Sequence, residues 1–297
     1  KNMVQVVGVS LILNLVFGLF VSAILHYGAT SLLSMMGLRP ELMEYGVSYM
    51  KIVGAFAFFQ AISLTISASL RSANKAVYPM MVTVVVNILN IIGNYSLIFG
   101  KFGMPALGVE GAAISTAFAR GVSMVILFVI LFRKHIPRFP LSYFCPFPFV
   151  ELKNLLKIGV PSAGENMSYS FSQVVLTYFI NMLGNEALAT RTYVVNIVMF
   201  VYLFAIAMAQ GGAICIGHLV GERKIHAAYL LGKYVMRISI LVSLVLSCIW
   251  ALMGHTLFSW LTDNPEIIRL GTIILFIDVI LEVGRACLLY TSDAADD

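Results

Sequence analysis

Charged side chains are scarce in this chain of 297 residues: Asp, Glu, Lys and Arg make up 11% of it, and hydrophobic residues make up 60%. No polar stretch is longer than a loop, and the mean hydropathy is +0.94. Soluble globular domains have an apolar fraction of roughly 45–50%, so this composition excludes a soluble domain. We therefore expect an all-α polytopic membrane protein.

Paired cysteines and hydrolase motifs are also missing. The four cysteines are scattered, and the sequence contains no CxxC, HExxH or GxSxG motif. A disulfide framework or a Cys-ligated metal site needs paired cysteines, and zinc proteases and serine hydrolases need one of the other two motifs. The five histidines form no pair with ligand spacing. We expect no metal site, no organic cofactor and no enzymatic activity.

Apolar runs of about 20 residues, the length that crosses the hydrocarbon core of a bilayer, dominate what is present. Eight such runs lie near residues 4–27, 46–70, 77–99, 111–132, 155–183, 190–217, 231–253 and 268–289. If the first run points outward, most Lys and Arg residues fall in inner loops, where positive charge is retained. Membrane topology thus accounts for the net charge of +5, and no nucleic-acid partner is expected.

Two stretches of the sequence match each other. Residues 31–46 and 256–271 share a Leu between hydroxyl residues, then a Pro-Glu pair, then a Gly, at a constant offset of 265 − 40 = 225. Parallel repeats related by an axis along the membrane normal are a known plan of transporters. If the first run pairs with the seventh, the full protein has two six-helix bundles, and this chain holds eight helices, the third to the tenth.

The repeat predicts the domain organisation. Residues 1–133 would be an incomplete N-terminal bundle with helices three to six, and residues 155–286 an incomplete C-terminal bundle with helices seven to ten. The Pro-rich segment 134–154 would be a cytoplasmic linker, because such segments are extended and semi-rigid. Residues 287–297 resemble the translation of a sequencing adapter, so we do not expect them to belong to the fold. Because the first residue is also not Met, we expect the chain to be a fragment.

Several short motifs occur in a fixed order along the chain. They are Leu70-Arg71-Ser72-Ala73-Asn74-Lys75, Asn90-Ile91-Ile92-Gly93-Asn94-Tyr95-Ser96-Leu97-Ile98-Phe99-Gly100, Gly108-Val109-Glu110-Gly111-Ala112-Ala113, Gly159-Val160-Pro161 and Gln210-Gly211-Gly212. Together they resemble the multidrug and toxic compound extrusion (MATE) family over residues 1–286. The resemblance implies a secondary antiporter that expels organic, often cationic, compounds in exchange for protons or sodium ions, with two six-helix bundles around a central cleft.

The sequence departs from the family pattern at two positions. The family often carries Asp on its fifth helix where this chain has Asn94. Its seventh helix begins near the Gly-Val-Pro motif and commonly has a Glu about two turns later, whereas Glu165 follows Pro161 by four residues.

Three carboxylates lie inside apolar runs. Asp278 and Glu282, with Arg285, are spaced i, i+4 and i+7, which puts them on one helix face, and Glu165 lies on an earlier helix. A carboxylate at membrane depth costs roughly 2.5–3.5 kcal/mol, so it normally faces a cavity, a partner or an ion. We predict that Glu165, Asp278 and Glu282 couple transport to an ion. The alternative is a structural salt bridge between Glu282 and Arg285, which leaves one acid over.

Polar side chains form stripes on several of the predicted helices. We expect them, with Arg285, to line the cleft and to contact substrate: Gln60, Asn87, Asn90, Asn94, Ser168, Tyr169, Gln173 and Asn196. Hydroxyl and amide groups also join membrane helices to one another, so helix packing is the alternative. Arg120, in the middle of its run, is expected to bond a backbone carbonyl or an Asn.

The sequence thus favours an exporter of small organic, cationic compounds that is coupled to H⁺ or Na⁺ and works by alternating access. We expect a monomer in the plasma membrane, the inner membrane of a prokaryote. A flippase for lipid-linked oligosaccharides of the same superfamily is the alternative. It would need several basic residues for a pyrophosphate, and only Arg120, Arg285 and Lys51 lie inside helices. A membrane-embedded enzyme is the remote alternative.

Overall fold

The computed structural model describes residues 2–35, 40–135 and 148–295, and these form helices joined by short turns. In chain order the helices are α1 (Asn2–Tyr27), α2 (Ala29–Met35), α3 (Pro40–Ala55), α4 (Ala57–Ser72), α5 (Val77–Phe99), α6 (Gly108–Ile130), α7 (Phe149–Met182), α8 (Asn185–Gly221), α9 (Ile225–Leu252), α10 (Gly254–Leu261) and α11 (Pro265–Ala295). A π-helical turn, Leu131–His135, follows α6.

Each predicted apolar run coincides with helix, which confirms the all-α membrane fold. In the described ranges, α1, α5, α6, α8 and α9 are long and apolar enough to cross a membrane, and α3 with α4 forms a bent sixth candidate. α7 and α11 are as long, at 34 and 31 residues. They carry the polar and charged residues predicted to form the sites, which lowers their hydropathy.

The run predicted over residues 46–70 is divided into α3 and α4, which meet at a bend of 45° beside Phe56. A break leaves the first N–H groups of the second helix without an intrahelical acceptor. The N–H of Phe58 donates instead to Oγ of Ser22 on α1, at 3.1 Å. The neighbouring helix thus supplies the hydrogen bond that the bend removes.

The two copies of the sequence repeat have the same order of elements. A long helix, a short helix and a helix that begins at Pro occur as α1, α2 and α3, and again as α9, α10 and α11. Pro suits the first turn because its missing N–H has no partner there. The Gly of the second copy, Gly271, packs on a ring: a Cβ there would lie 2.2 Å from Cζ of the buried Phe258.

The chain divides into two compact units, Lys1–Lys157 and Ile158–Asp297. In the first unit α1 packs on α3 and α4, α6 packs on α3, α4 and α5, and the core is formed by Val7, Ile62, Ile66, Leu70, Val82, Leu127 and Leu131. In the second unit α8, α9 and α11 pack on one another around a core formed by Val194, Ile197, Val198, Ala251, Phe258, Ile267 and Leu275.

The division between the units falls inside α7. This helix begins at Phe149, so Pro161 lies within it rather than at its start, as the family pattern suggested. Pro161 has no N–H and cannot donate to the carbonyl of Lys157, one turn earlier. Residues 136–147 of the predicted linker lie outside the described residues.

Candidate functional site

Asp278, Glu282 and Arg285 lie together on α11, on the face that their spacing predicts. Nη1 of Arg285 donates to Oε1 of Glu282, and Nη2 lies 3.8 Å from Oδ1 of Asp278. The side chain of Glu282 is 0% exposed and that of Asp278 10%, whereas Arg285 is 33% exposed. The guanidinium of Arg285 is therefore the counter-charge of both buried carboxylates.

The charges of this cluster do not balance. Two carboxylates and one guanidinium leave one negative charge, and Oε2 of Glu282 is buried with no hydrogen-bond partner among the described residues. A buried charge or acceptor without a partner is costly. The cluster is thus suited to receive one further cation, such as a proton or a sodium ion.

Tyr202 on α8 completes the surroundings of Arg285. The guanidinium carbon lies 5.6 Å from the centre of the Tyr202 ring, within the range of a cation–π contact. Spacing along the chain does not predict this pairing, since the two residues lie on different helices. The contact places the acid cluster on the side of α11 that packs against α8.

The predicted polar stripe of α7 has a different environment. Glu165, Ser168 and Tyr169 are exposed, so the structure does not bury Glu165 as it buries the acids of α11. Asn196 on α8 is also exposed, and its Nδ2 donates to the carbonyl of Thr192 on the same helix, at 2.9 Å.

Gln173 of the same stripe joins α7 to α8. Nη2 of Arg191 on α8 donates to Oε1 of Gln173 at 2.8 Å, and Nη1 donates to Oγ1 of Thr177. These bonds fit the alternative of polar helix contacts better than a cleft-lining role for Gln173. Sequence reasoning missed Arg191; a lone Arg near the start of an apolar helix was the available signal.

In the first unit, a cavity of about 330 Å³ is lined by three of the six predicted amide side chains. Gln60 on α4, Asn87 and Asn90 on α5 and Arg120 on α6 all line it. The other lining residues are Ser63, Leu64, Ser67, Thr83, Val86, Thr116, Ala119, Ser123 and Leu127.

Hydrogen bonds fix Asn90 at the junction of α5 and α6. Its Nδ2 donates to Oγ1 of Thr116 at 3.4 Å, and Oγ of Ser115 donates to its backbone carbonyl at 3.2 Å. Nδ2 of Asn94, one turn further along α5, donates to Oδ1 of Asn90 at 3.0 Å. Asn94 is thus bonded to a lining residue but does not itself line the cavity.

Helices of membrane-spanning length, a polar cavity and a buried acid cluster define this chain as a polytopic α-helical membrane protein. The family model MatE matches residues 1–96 and 161–295. The chain belongs to the MatE family, which confirms the family resemblance of its sequence motifs.

Relatives agree with this assignment, and a solved structure shows the same fold. The chain is 37% identical over 286 residues to the uncharacterized transporter YisQ of Bacillus subtilis, over 96% of this chain and 63% of the relative. It is 28% identical over 236 residues to a probable multidrug resistance protein NorM of Thermotoga maritima, over 79% of this chain and 50% of the relative. A crystal structure of MATE in the straight conformation has the same fold, with a TM-score of 0.87 and 23% identity over 98% of this chain and 64% of that chain. The chain thus spans about half to two thirds of the length of these proteins.

Proposed function

We propose that the protein is a secondary active transporter that exports small organic, cationic compounds in exchange for H⁺ or Na⁺. The observation that carries the proposal is the buried pair Asp278 and Glu282 with a single counter-charge, Arg285. Membership of the MatE family and the similarity to a probable multidrug resistance protein support export of organic compounds.

The unbalanced charge supplies a physical basis for exchange. A proton or sodium ion bound at the α11 pair removes the remaining negative charge, and a cationic substrate held nearby does the same. A carrier that stabilises only one of the two at a time couples their movements, because each ligand lowers the affinity for the other. Alternating access then carries the ion inward and the substrate outward. Glu165, exposed on α7, is proposed as a further carboxylate on this route.

The remaining parts of the proposal follow from the same family. The predicted polar residues of each unit would contact substrate. The protein would act as a monomer in the plasma membrane, which is the inner membrane if the source is bacterial, and no cofactor other than the coupling ion would be needed. Family and fold point to a transporter rather than to a membrane-embedded enzyme. A flippase for lipid-linked oligosaccharides is not favoured, because the first-unit cavity is lined by a single cation, Arg120.

Efflux of ethidium, a cationic dye, from vesicles that hold the complete protein tests the proposal under separately imposed proton and sodium gradients. Asp278→Asn and Glu282→Gln should each reduce gradient-driven efflux about tenfold or more, by removing a buried charge on the coupling route. Glu165→Gln tests the α7 carboxylate in the same assay. Efflux that depends on one gradient identifies the coupling ion.

Glu222→Gln is the matched control. Glu222 lies between α8 and α9, and a hydrogen bond from Lys224, whose Nζ is 2.7 Å away, together with the charge of that Lys, lowers the pKa of Glu222. Its loss should leave efflux unchanged. Efflux that survives neutralisation of all three acids, or that neither gradient drives, contradicts the proposal.

A further inference from the structure

We propose that the first-unit cavity binds a carboxylate of the transported compound and that Arg120 is the charged partner of that carboxylate. The inference rests on the proposed export of small organic compounds and narrows their class. Among the cationic compounds proposed as cargo, those that also carry a free carboxylate would be preferred over their carboxylate esters.

Arg120 has no counter-charge in its unit. It makes no ion pair or side-chain hydrogen bond within the described residues. The acids of the first unit are Glu41, Glu44, Glu110 and Glu151, none of which lies on α1, α4, α5 or the part of α6 beyond its first turn. A charge inside a membrane helix is costly and normally pairs with another group or marks a ligand path.

Glu110, the acid on the same helix, is too far away to neutralise Arg120. Ten residues of α-helix separate them, which is about 15 Å along the axis. The carboxylate of Glu110 is already engaged, since Oγ of Ser48 on α3 donates to its Oε1 at 2.6 Å. The guanidinium of Arg120 is therefore available to a ligand in the cavity.

Other lining groups can complete an anion site. Oγ of Ser63 is buried and has no hydrogen-bond partner among the described residues, although a hydroxyl can both donate and accept. The amides of Gln60 and Asn87 line the same cavity and likewise make no hydrogen bond to the part of the chain that the structure describes. Ser63 is buried, so the cost of its missing bond is recovered when a ligand supplies one; Gln60 and Asn87 are exposed and carry no such cost, but their amides can add bonds to the same ligand.

The charge and size of the cavity favour an organic carboxylate. One guanidinium balances one negative charge, and its parallel N–H groups match the two oxygens of a carboxylate, whereas a phosphate dianion would leave charge unbalanced. A cavity of about 330 Å³ lies at the small end of the range for organic ligands, roughly 300–1,000 Å³. The space exceeds what an inorganic ion fills, so it also holds an apolar part of the compound.

Two dyes that differ only at the carboxylate provide the test. Rhodamine 110 has a free carboxylate, and rhodamine 123 is its methyl ester. Fluorescence anisotropy of each dye with the purified complete protein in lipid nanodiscs, without any ion gradient, gives the two Kd values. The unmodified protein should bind rhodamine 110 more tightly than rhodamine 123.

Variants of Arg120 show whether this residue causes the difference. Arg120→Gln should raise the Kd of rhodamine 110 about tenfold, the usual scale for a hydrogen bond to a charged group, and leave that of rhodamine 123 nearly unchanged. Arg120→Lys keeps the charge but loses the paired N–H geometry. Its Kd for rhodamine 110 should therefore lie between that of the unmodified protein and that of Arg120→Gln. Arg133→Gln, in the exposed part of the π-helical turn, is the matched control and should change neither Kd.

Four results overturn the proposal: equal binding of acid and ester by the unmodified protein, no binding of either dye, an equal loss of both in Arg120→Gln, or rhodamine 110 binding that is unaffected by this substitution. Unchanged rhodamine 123 binding shows that the variant is folded. Because no gradient is imposed, failure of ion-coupled export leaves the binding result intact, and the two proposals fail separately.

Discussion

Arg285 and Glu282 form an ion pair one turn apart on α11, in which the carboxylate is completely buried and the guanidinium is one-third exposed. Water cannot reach the carboxylate of Glu282, so its charge depends on Arg285 for stabilisation. Asp278, whose Oδ1 is 3.8 Å from the same Arg, adds a second dependent carboxylate. Arg285 is therefore expected to stabilise the fold as well as to set the charge of the cluster.

Arg285→Gln should destabilise the protein, because it leaves two buried carboxylates without a counter-charge. Removal of one partner of a buried pair costs about 3–5 kcal/mol. The melting midpoint of the purified protein, followed by tryptophan fluorescence, should fall clearly. Both tryptophans, Trp250 and Trp260, lie in the second unit and report on it.

The double variant Arg285→Gln/Glu282→Gln separates charge from packing. It should recover much of the lost stability, since the most buried carboxylate is then neutral as well. Arg269→Gln, an exposed residue on the same helix, is the control and should not shift the midpoint. A double variant no more stable than Arg285→Gln would mean that the guanidinium acts through packing, such as its contact with Tyr202.

Gly271→Ala should also destabilise the second unit. The added Cβ would lie 2.2 Å from the ring of Phe258, which is fully buried, so the ring or the helix would have to shift. Overpacking of this kind typically costs about 1–3 kcal/mol. The melting midpoint should fall accordingly.

Gly159→Ala is the matched control for that substitution. A Cβ at Gly159 meets no other atom within 4 Å, and the residue lies inside α7, where Ala is preferred to Gly by up to about 1 kcal/mol. The midpoint should stay or rise slightly. Equal losses in both variants would show that the Phe258 contact is not what makes Gly271 necessary.

Much of this fold follows from local features of the sequence. Runs of apolar residues fix where α1, α5, α8 and α9 lie, because a bilayer sets their length. The 3.6-residue period puts Asp278, Glu282 and Arg285 on one face without any knowledge of their neighbours. Such inferences need only one helix at a time.

What the sequence did not predict depends on contacts between helices. The bend beside Phe56 is made tolerable by Ser22, a residue of another helix, and Tyr202 reaches Arg285 from α8. The isolation of Arg120 from acids is likewise a property of the packed unit. No spacing along one helix encodes these relationships.

The repeat shows where the two units differ. With the offset of 225, Phe56 corresponds to Leu281, since 281 − 225 = 56, and Leu281 lies between the two acids of α11. The first copy bends its helix at the point where the second copy, α11, is continuous and carries its charges. The same sequence plan thus produces a bend in one unit and an acid cluster in the other.

Ser22→Ala tests how the bend is stabilised. Without Oγ of Ser22, the partly buried N–H of Phe58 loses its acceptor, at a cost of about 1–3 kcal/mol. Hydrogen exchange followed by mass spectrometry should show faster exchange in peptides that contain Phe58. Ser34→Ala is the control, because Ser34 is exposed and its hydroxyl bonds only a carbonyl of its own segment. Unchanged exchange in Ser22→Ala would mean that α1 does not hold the bend.

Arg191→Lys tests how α7 is attached to α8. Arg191 donates to the side chains of Gln173 and Thr177 with separate N–H groups, and a single ammonium cannot reproduce this fork. Most α7 side chains from Gly159 to Phe171 are exposed, so these bonds should matter for its position. We expect faster hydrogen exchange across α7 in Arg191→Lys and a larger effect in Arg191→Gln.

A control variant and a double variant test whether Arg191 holds α7 through its bond to Gln173. Arg237→Gln changes an exposed Arg on α9 for which the described residues provide no ion pair, and it should leave exchange in α7 unchanged. Gln173→Leu removes the acceptor of one of these bonds. Replacement of Arg191 in this variant should then increase hydrogen exchange in α7 by less than it does in the unmodified protein, because bonded residues are energetically coupled. Fully additive effects would show that Arg191 and Gln173 act independently and that α7 is held by other contacts.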